Sequence, residues 1–145
     1  MGTDSSLSLK APAKINWFLK VVGKRGDGYH EIQSLIQKIT LYDVLTFTPL
    51  EKKSVPPSDN IVLKTEAPIP AEQNLVYKAA MLLKNKYGIK KGAAIHLEKN
   101  IPMGAGLGGG SSDAAAALQG LNELWSLGLN TEELCSIAEE LGSDV

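Results

Sequence analysis

The chain has 145 residues, of which 43% are hydrophobic and 21% charged, with a formal net charge of -1. This composition is typical of one soluble globular domain and excludes disordered, fibrous and disulfide-stapled proteins. The near-zero charge excludes a bulk attraction to nucleic acid or anionic lipid, so an anionic ligand needs a local set of donors. The single cysteine, Cys135, and the lack of a signal peptide or of ~20 consecutive apolar residues lead us to expect a cytoplasmic protein.

Alternation of apolar and polar residues predicts four strands in the first half of the chain. They are Ala13–Val22, Tyr29–Thr40, Asp43–Thr48 and Ile61–Thr65. Within the first strand, Lys14 and Asn16 fall on the same face because side chains repeat every second residue. The turn residues of Lys24–Gly28 predict a hairpin between the first two strands, and Ser54–Ser58 predicts a break before the fourth.

Helical periodicity dominates the second half. Asn74 is a good N-cap for an apolar stripe that ends at Gly88, and Asn130 caps a last helix, Thr131–Leu141. Between them the pattern predicts a strand over Gly92–Lys99 and a helix of small residues over Ser112–Trp125. Strands first and helices later predict an α+β fold with a mostly antiparallel sheet, and not a doubly wound fold.

The segment Pro102–Asp113 runs from a predicted strand into a predicted helix and contains five glycines. Glycines allow the backbone to approach a ligand closely, and the helix N-terminus behind them carries partial positive charge. This pattern predicts a phosphate-binding loop. The hydroxyls of Ser111 and Ser112 are suited to a phosphate oxygen or to a phosphate-bound Mg²⁺.

Three other interpretations of this loop are weaker. A dinucleotide fold needs a second parallel strand ending in an acidic residue, whereas here one helix is followed by another. Gly104 and Gly109 have the spacing of a Walker A loop, but Gly110 stands where its lysine is required. A merely flexible linker is not typical between a strand and a helix.

The segment Pro102–Ser112 resembles the P-x-x-x-G-L-G-[GS]-[GS]-S-[SA] signature of the galactokinase, homoserine, mevalonate and phosphomevalonate (GHMP) kinase superfamily. Ala11–Asn16 and Asp27–Glu31 resemble the P-A-K-[IL]-N and D-G-Y-H-x-[IL] motifs of the 4-diphosphocytidyl-2-C-methyl-D-erythritol kinases. Leu141–Val145 is similar to the start of that family's G-[AS]-D-V-P motif. The four motifs follow the family's order and cover essentially the whole chain.

This resemblance implies that residues 1–145 form an N-terminal, ATP-binding lobe like domain 2 of ribosomal protein S5, truncated before a C-terminal lobe. It also implies phosphorylation, with ATP and Mg²⁺, of the 2-hydroxyl of 4-(cytidine 5'-diphospho)-2-C-methyl-D-erythritol on the non-mevalonate route to isoprenoid precursors. The implied partner is this small molecule, with no nucleic acid or membrane. We expect the 145-residue chain alone to be inactive, because Asp144 lies at a chain end where residues fray.

Two catalytic residues follow from the resemblance. Lys14 would orient the acceptor hydroxyl and offset negative charge between two anions. Asp144 would take the proton of the substrate alcohol, late in a loose transition state where position matters more than basicity. Without the resemblance, a solvated surface lysine and a turn aspartate are the plainer interpretations.

The resemblance also implies binding residues. Tyr29 and His30 would hold the cytosine by stacking and hydrogen bonding, and Asn16 would contact the substrate. Fourteen positions separate Asn16 from His30, so their sites can lie well over 15 Å apart at ~3.3 Å per residue. The implied nucleotide-binding residues are Asn74, Lys99, Pro102, Met103, Gly104, Ala105, Gly106, Leu107, Gly108, Gly109, Gly110, Ser111 and Ser112. A helix cap for Asn74 and a rim charge for Lys99 are nearly as plausible.

Two alternatives remain open at this stage. A GHMP kinase acting on another small alcohol would keep the glycine-rich loop but should lack Asp27–His30, which makes that motif the discriminator. A non-catalytic, S5-like lobe that binds RNA is disfavoured by the absence of a Lys/Arg stripe, and salt-dependent RNA binding would revive it.

Overall fold

The computed structural model describes residues 6–50 and 60–145, and it confirms the predicted α+β fold. Four strands and three helices follow one another in the order β1, β2, β3, α1, β4, α2, α3. Their bounds are Leu7–Lys24 (β1), His30–Pro49 (β2), Ile61–Thr65 (β3), Leu75–Tyr87 (α1), Ala93–Glu98 (β4), Gly109–Leu124 (α2) and Thr131–Leu141 (α3). The predicted break over Ser54–Ser58 lies outside the described residues.

The strands form one sheet in the order β1-β2-β4-β3. Its first two pairings are antiparallel, and β3 pairs with β4 in parallel through the crossing helix α1. Rows of opposed side chains explain the alternation in the sequence, because Leu7, Phe47 and Ile95 share one row on the core face. The next row, on the other face, is polar, so one face of the sheet packs against the helices.

Helix α2 lies unusually close to the sheet because its core-facing residues are small. Ala114 and Ala117 are buried, and Gly120 lies directly over Phe47. A Cβ added at Gly120 would be 2.3 Å from the Phe47 ring, a distance that no side-chain carbon tolerates. The small residues of α2 therefore set the distance between the sheet and the first turn of α2, and with it the position of the preceding loop.

Helix ends agree with the sequence signals. The Asn74 side chain accepts a hydrogen bond from the Val76 N–H at the start of α1, and Gly88 ends that helix in the left-handed conformation. Asn130 and Glu133 form the capping box of α3. None of the helices in the described part of the chain is long and apolar enough to cross a bilayer.

Three predicted element boundaries are wrong. Strand β1 begins at Leu7, six residues before the predicted start at Ala13, because residues 7–12 pair with β2. The predicted strands Tyr29–Thr40 and Asp43–Thr48 form a single strand, β2. The chain does not turn between them, and the interruption of the sequence pattern corresponds to register shifts in the pairing of β2 with β1. Helix α2 begins at Gly109 and not at Ser112, because Gly108 adopts the left-handed conformation and its carbonyl accepts the Ser112 N–H at 3.0 Å. The last three glycines of the segment, Gly108, Gly109 and Gly110, are thus the cap and the first residues of the helix.

Strands β1 and β2 extend far beyond the end of β4 as a two-stranded arm, here defined as residues 14–24 and 30–38. No third strand pairs with the arm in the described residues, so its edges are unpaired there. Seven of its large apolar side chains are each more than half exposed: Trp17, Phe18, Leu19, Val21, Ile32, Leu35 and Ile36.

Candidate active site

The glycine loop, residues 102–112, is fixed to strand β1 at Lys14. The Lys14 N–H donates to the Leu107 carbonyl at 2.9 Å, and the Lys14 side chain lies across Gly108. A Cβ at Gly108 would be 2.7 Å from Lys14 Cε, and the φ of Gly108 is +68°. Only glycine satisfies both conditions without strain. The loop and a predicted catalytic lysine therefore form one packed unit.

The first turn of α2 is suited to an anion. Free backbone N–H groups and the positive end of the helix dipole meet at the end of the loop. The first turn contains no acidic residue, so no carboxylate of that turn competes for these donors. Gly104 and Gly106 also have positive φ, a backbone conformation that favours glycine.

A cavity of about 380 Å³ lies on one side of this loop, and we call it the glycine cavity. This volume is in the range of small-molecule binding sites. Its walls combine loop backbone with mostly apolar side chains. Among its lining residues are Asn74, Leu75, Leu97, Lys99, Met103, Gly106, Gly108, Ser111 and Asp113.

A second cavity of about 340 Å³ lies on the β1 side of α2, and we call it the lysine cavity. Its polar lining consists of three lysines, one carboxylate, a glutamine and two hydroxyls: Lys10, Lys14, Lys38, Asp144, Gln119, Ser111 and Ser112. Gly108 and Ser111 line both cavities. A group that passes from one cavity to the other therefore passes the end of the glycine loop.

The two predicted catalytic residues lie in this same cavity, although 130 positions separate them in the sequence. Lys14 reaches it from the base of the arm and is half-buried. Asp144 reaches it from the turn after α3, where the Val145 N–H donates to the Gly142 carbonyl at 3.4 Å. Ser111 and Ser112 face the pair from the first turn of α2. A lysine, a carboxylate and hydroxyls in one cavity are the groups that phosphoryl transfer to an alcohol requires.

The predicted substrate residues lie elsewhere, and none of them lines either cavity. Asn16 accepts a hydrogen bond from Ser34 Oγ at 3.1 Å across the arm. His30 pairs with Lys24 at the tip of the arm, and Tyr29 beside it is 64% exposed. Eight residues of β1 separate Asn16 from Lys24, which is roughly 25 Å of strand at ~3.3 Å per residue. The described residues thus place the arm tip far from Lys14.

Asn74 and Lys99 both line the glycine cavity. Asn74 Oδ1 accepts the Val76 N–H as the cap of α1. Lys99 Nζ donates to Asp43 Oδ2 at 2.6 Å and to Asp113 Oδ2 at 2.9 Å. The Lys99 side chain is only 14% exposed, so it is not a rim charge.

Sequence reasoning missed the two carboxylates of this network. Asp43 Oδ1 accepts the backbone N–H groups of Asn100 and Ile101 at 2.6 and 2.8 Å, which fixes the chain just before the glycine loop. Asp113 stands on α2, just after the loop, and its Oδ1 has no hydrogen-bond partner among the described residues. A signal was present, because Asp43 shares the core-facing alternation of Leu45 and Phe47, where a charge requires a buried partner.

Burial and charge pairing set the protonation behaviour of this network. Burial, with the nearby Asp43 carboxylate, raises the pKa of Asp113 to about 7. Burial alone would raise the pKa of Asp43 too, but hydrogen bonds with Asp113, Lys99 and the two backbone amides hold it below its ordinary value. Burial would lower the pKa of Lys99, yet its hydrogen bonds to both carboxylates raise it. Lys99 therefore stays charged between its two partners.

Comparison with known families identifies the second half of the chain. The family described as GHMP kinases N terminal domain matches residues 74–145. This range contains α1, β4, the glycine loop, α2 and α3.

Comparison with curated proteins extends the match to nearly the whole chain. Over 140 residues it is 51% identical to the 4-diphosphocytidyl-2-C-methyl-D-erythritol kinase of Bacillus cereus (strain B4264). Over 141 residues it is 48% identical to the protein of the same name from Caldicellulosiruptor bescii. Each match covers 96% of this chain and 47% of the relative, so the chain spans about half the length of the curated relatives it matches.

A solved structure agrees with these matches. The crystal structure of a 4-(cytidine 5'-diphospho)-2C-methyl-D-erythritol kinase superposes with a TM-score of 0.77 at 40% identity. The superposition covers 96% of this chain and 47% of that one.

Proposed function

From the membership of this chain in the GHMP kinase superfamily, as its N-terminal domain, we propose that it provides the ATP site and two catalytic residues of a small-molecule kinase. The proposed reaction is transfer of the γ-phosphoryl group of ATP to the 2-hydroxyl of 4-(cytidine 5'-diphospho)-2-C-methyl-D-erythritol. The relatives are about twice as long as this chain, and we propose that the complete enzyme has a second lobe.

The arrangement of the two cavities carries this proposal. A kinase must hold a nucleotide and an acceptor on opposite sides of one transferred group, nearly in line. The glycine cavity and the lysine cavity lie on either side of Gly108 and Ser111, which line both. ATP in the first and an acceptor alcohol in the second bring the γ-phosphoryl group to their common boundary.

The loop backbone and the first turn of α2 bind the phosphates of ATP. Both provide N–H donors, which bind phosphate oxygens without introducing a competing acid. The buried network of Asp43, Lys99 and Asp113 supports this loop from below, because it ties the chain before the loop and the helix after it to β2. A loop held in this way needs little rearrangement when the nucleotide binds.

Magnesium fits this site only together with the phosphates. The described residues contain no cluster of three His, Cys, Asp or Glu side chains that would hold a metal alone. Ser111 and Ser112 offer hydroxyl oxygens, and Mg²⁺ keeps waters and phosphate oxygens for its remaining ligands. When bound, it would neutralise charge on the transferred phosphate.

Lys14 and Asp144 act on the acceptor. The Asp144 carboxylate accepts the proton of the attacking hydroxyl as the new O–P bond forms, and the β,γ-bridging bond of ATP breaks to release ADP. Lys14 places its ammonium group between the acceptor and the transferred phosphate, where negative charge accumulates. Its position is fixed because its backbone binds Leu107 and its side chain packs on Gly108.

The proposed acceptor is a long molecule, with base, ribose, two phosphates and methylerythritol in series. Its alcohol end belongs in the lysine cavity. In this proposal Asn16 contacts the substrate near the base of the arm, Tyr29 and His30 contact its cytidine end farther along the arm, and the second lobe covers the other side.

Turnover by the full-length protein tests this proposal. Here full-length means this chain continued to the length of its relatives. ADP release with the cytidine diphosphate acceptor should exceed release with homoserine or mevalonate by more than about 100-fold, because only the first presents a base to the arm. Equal turnover with mevalonate would assign the protein to another GHMP kinase activity.

A further inference from the structure

Lys38 stands directly opposite Lys14 in the pairing of β2 with β1. Directly opposed residues of an antiparallel pair project from the same face, with Cβ atoms roughly 5 Å apart. Both lysines also line the lysine cavity. Two ammonium groups thus enter the same cavity from adjacent strands at the base of the arm.

Like charges in opposed positions repel, so such a pair needs compensation. Neither Lys14 nor Lys38 forms a salt bridge within residues 6–50 and 60–145. The third lysine of the cavity, Lys10, has its Nζ 4.5 Å from the centroid of the Tyr42 ring. Within the described residues, Lys14 packs on the glycine loop and Lys10 packs on an aromatic ring, whereas Lys38 does neither.

The cavity as a whole has an excess of positive charge. Asp144 is the one carboxylate side chain among the described residues that line it, against three lysine side chains. A concave surface with this imbalance attracts anions, and the attraction is stronger there than on a flat surface. The chain has a net charge of -1, so the excess is local to this cavity and not a property of the whole molecule.

We propose that Lys38 binds the diphosphate of the acceptor substrate, next to the alcohol held by Lys14 and Asp144. This proposal rests on the proposed function, whose acceptor carries two phosphates beside the methylerythritol group. Lys38 is a binding residue in this account and not a proton-transfer residue.

Position favours the acceptor's phosphates over those of ATP. The glycine loop lies against β1 through Lys14, whereas Lys38 belongs to β2, on the far side of Lys14 from the loop. Ile36, the next residue of that face along β2, also lines the cavity and leads onto the arm. An acceptor whose cytidine end follows the arm therefore brings its diphosphate past Lys38.

Steady-state kinetics of the full-length protein test the assignment. Lys38→Gln should raise KM for the cytidine diphosphate acceptor about 5- to 30-fold, the loss expected for a charge-assisted hydrogen bond. KM for ATP should stay within about 2-fold. Lys38→Arg should restore most of the affinity, and the effect should shrink as ionic strength rises.

Lys20→Gln is the matched control, because Lys20 is an exposed lysine of the same arm that lines neither cavity. An acceptor KM for Lys38→Gln equal to that of Lys20→Gln would overturn the proposal. A loss confined to kcat would also overturn it, since it would assign Lys38 to the transferred γ-phosphoryl group.

Inorganic pyrophosphate separates this proposal from the proposed function. It should inhibit competitively against the acceptor, and Lys38→Gln should weaken that inhibition more than Lys20→Gln does. If the unmodified protein does not turn over the cytidine acceptor, the proposed function fails. Calorimetric pyrophosphate binding weakened by Lys38→Gln alone would then still support a diphosphate site at Lys38, and unchanged binding would refute it.

Discussion

The two cavities beside the glycine loop are similar in volume but are built in opposite ways. The glycine cavity is formed by loop backbone above a buried network, Asp43–Lys99–Asp113, whose charges satisfy one another. The lysine cavity is formed by long side chains on strands, and Lys14 and Lys38 there have no ionic partner in the described residues. Paired charges shape a site, whereas unpaired charges are available to a ligand. Substitutions in the first cavity should therefore change nucleotide binding or stability, and those in the second should change the acceptor reaction.

The largest expected effect is on turnover. Asp144→Asn in the full-length protein should lower kcat by about 100- to 10,000-fold, because the carboxamide cannot accept the proton of the acceptor hydroxyl. Its Kd for ATP should stay within about 2-fold, since Asp144 lines only the lysine cavity. Glu139→Gln on α3 is the control, an exposed acid that lines neither cavity. Equal losses of ATP affinity and kcat in Asp144→Asn would assign Asp144 to structure.

The next effect is smaller and is expected on ATP binding instead of turnover. Gly108→Val should weaken ATP binding by about 10- to 100-fold, because the new Cβ meets the Lys14 side chain and the positive φ strains the loop. Isothermal calorimetry with an ATP analogue measures this loss. Gly128→Val is the matched control, with φ of +70° but open space around the added Cβ. Unchanged affinity in Gly108→Val would show that the nucleotide does not use this loop.

A substitution at Gly120 should change the stability of the fold, as distinct from ATP binding or turnover. Gly120→Ala should lower the free energy of unfolding by about 1–3 kcal/mol, since the methyl group overlaps the Phe47 ring and forces α2 away from the sheet. Urea denaturation of the chain measures the loss, with Glu123→Ala, an exposed position of α2, as the control. No change in the denaturation midpoint would mean that the helix and sheet are less closely packed than described here.

The last expected effect concerns pH. The native pKa of Asp113 is about 7, above its ordinary value of 3.8, so the folded state keeps a proton that the unfolded state loses between these values. The contribution of Asp113 to stability therefore falls as pH rises from about 4 to about 7. Asp113→Asn removes this titration, so the variant should gain stability relative to the unmodified chain between pH 5 and pH 8. A variant whose relative stability is the same at both pH values would contradict the assignment.

Much of the packed half was predictable from the sequence. Periodicity and caps located α1, α3 and β4, because each carries its own local signals, such as Asn74 and the Asn130–Glu133 box. The shared cavity of Lys14 and Asp144 was expected from the resemblance alone, since nothing local relates residues 130 positions apart.

What could not be predicted depends on tertiary contacts. The merging of two predicted strands into β2 follows from pairing with β1, which no single strand reveals. The helical start at Gly109 follows from the conformation of Gly108 and its carbonyl bond. Lys99 was assigned to the nucleotide by resemblance, whereas its amine is held by two carboxylates that come from distant elements.

The most direct test of the division between the cavities is a crystal structure of the full-length protein with a non-hydrolysable ATP analogue and the cytidine diphosphate acceptor. We predict the triphosphate along residues 104–112, the adenine in the glycine cavity, and the γ-phosphate beside Gly108 and Ser111. The acceptor's 2-hydroxyl should lie between Lys14 and Asp144, on the other side of that phosphate. A triphosphate bound among Lys10, Lys14 and Lys38, with the glycine cavity empty, would contradict this account.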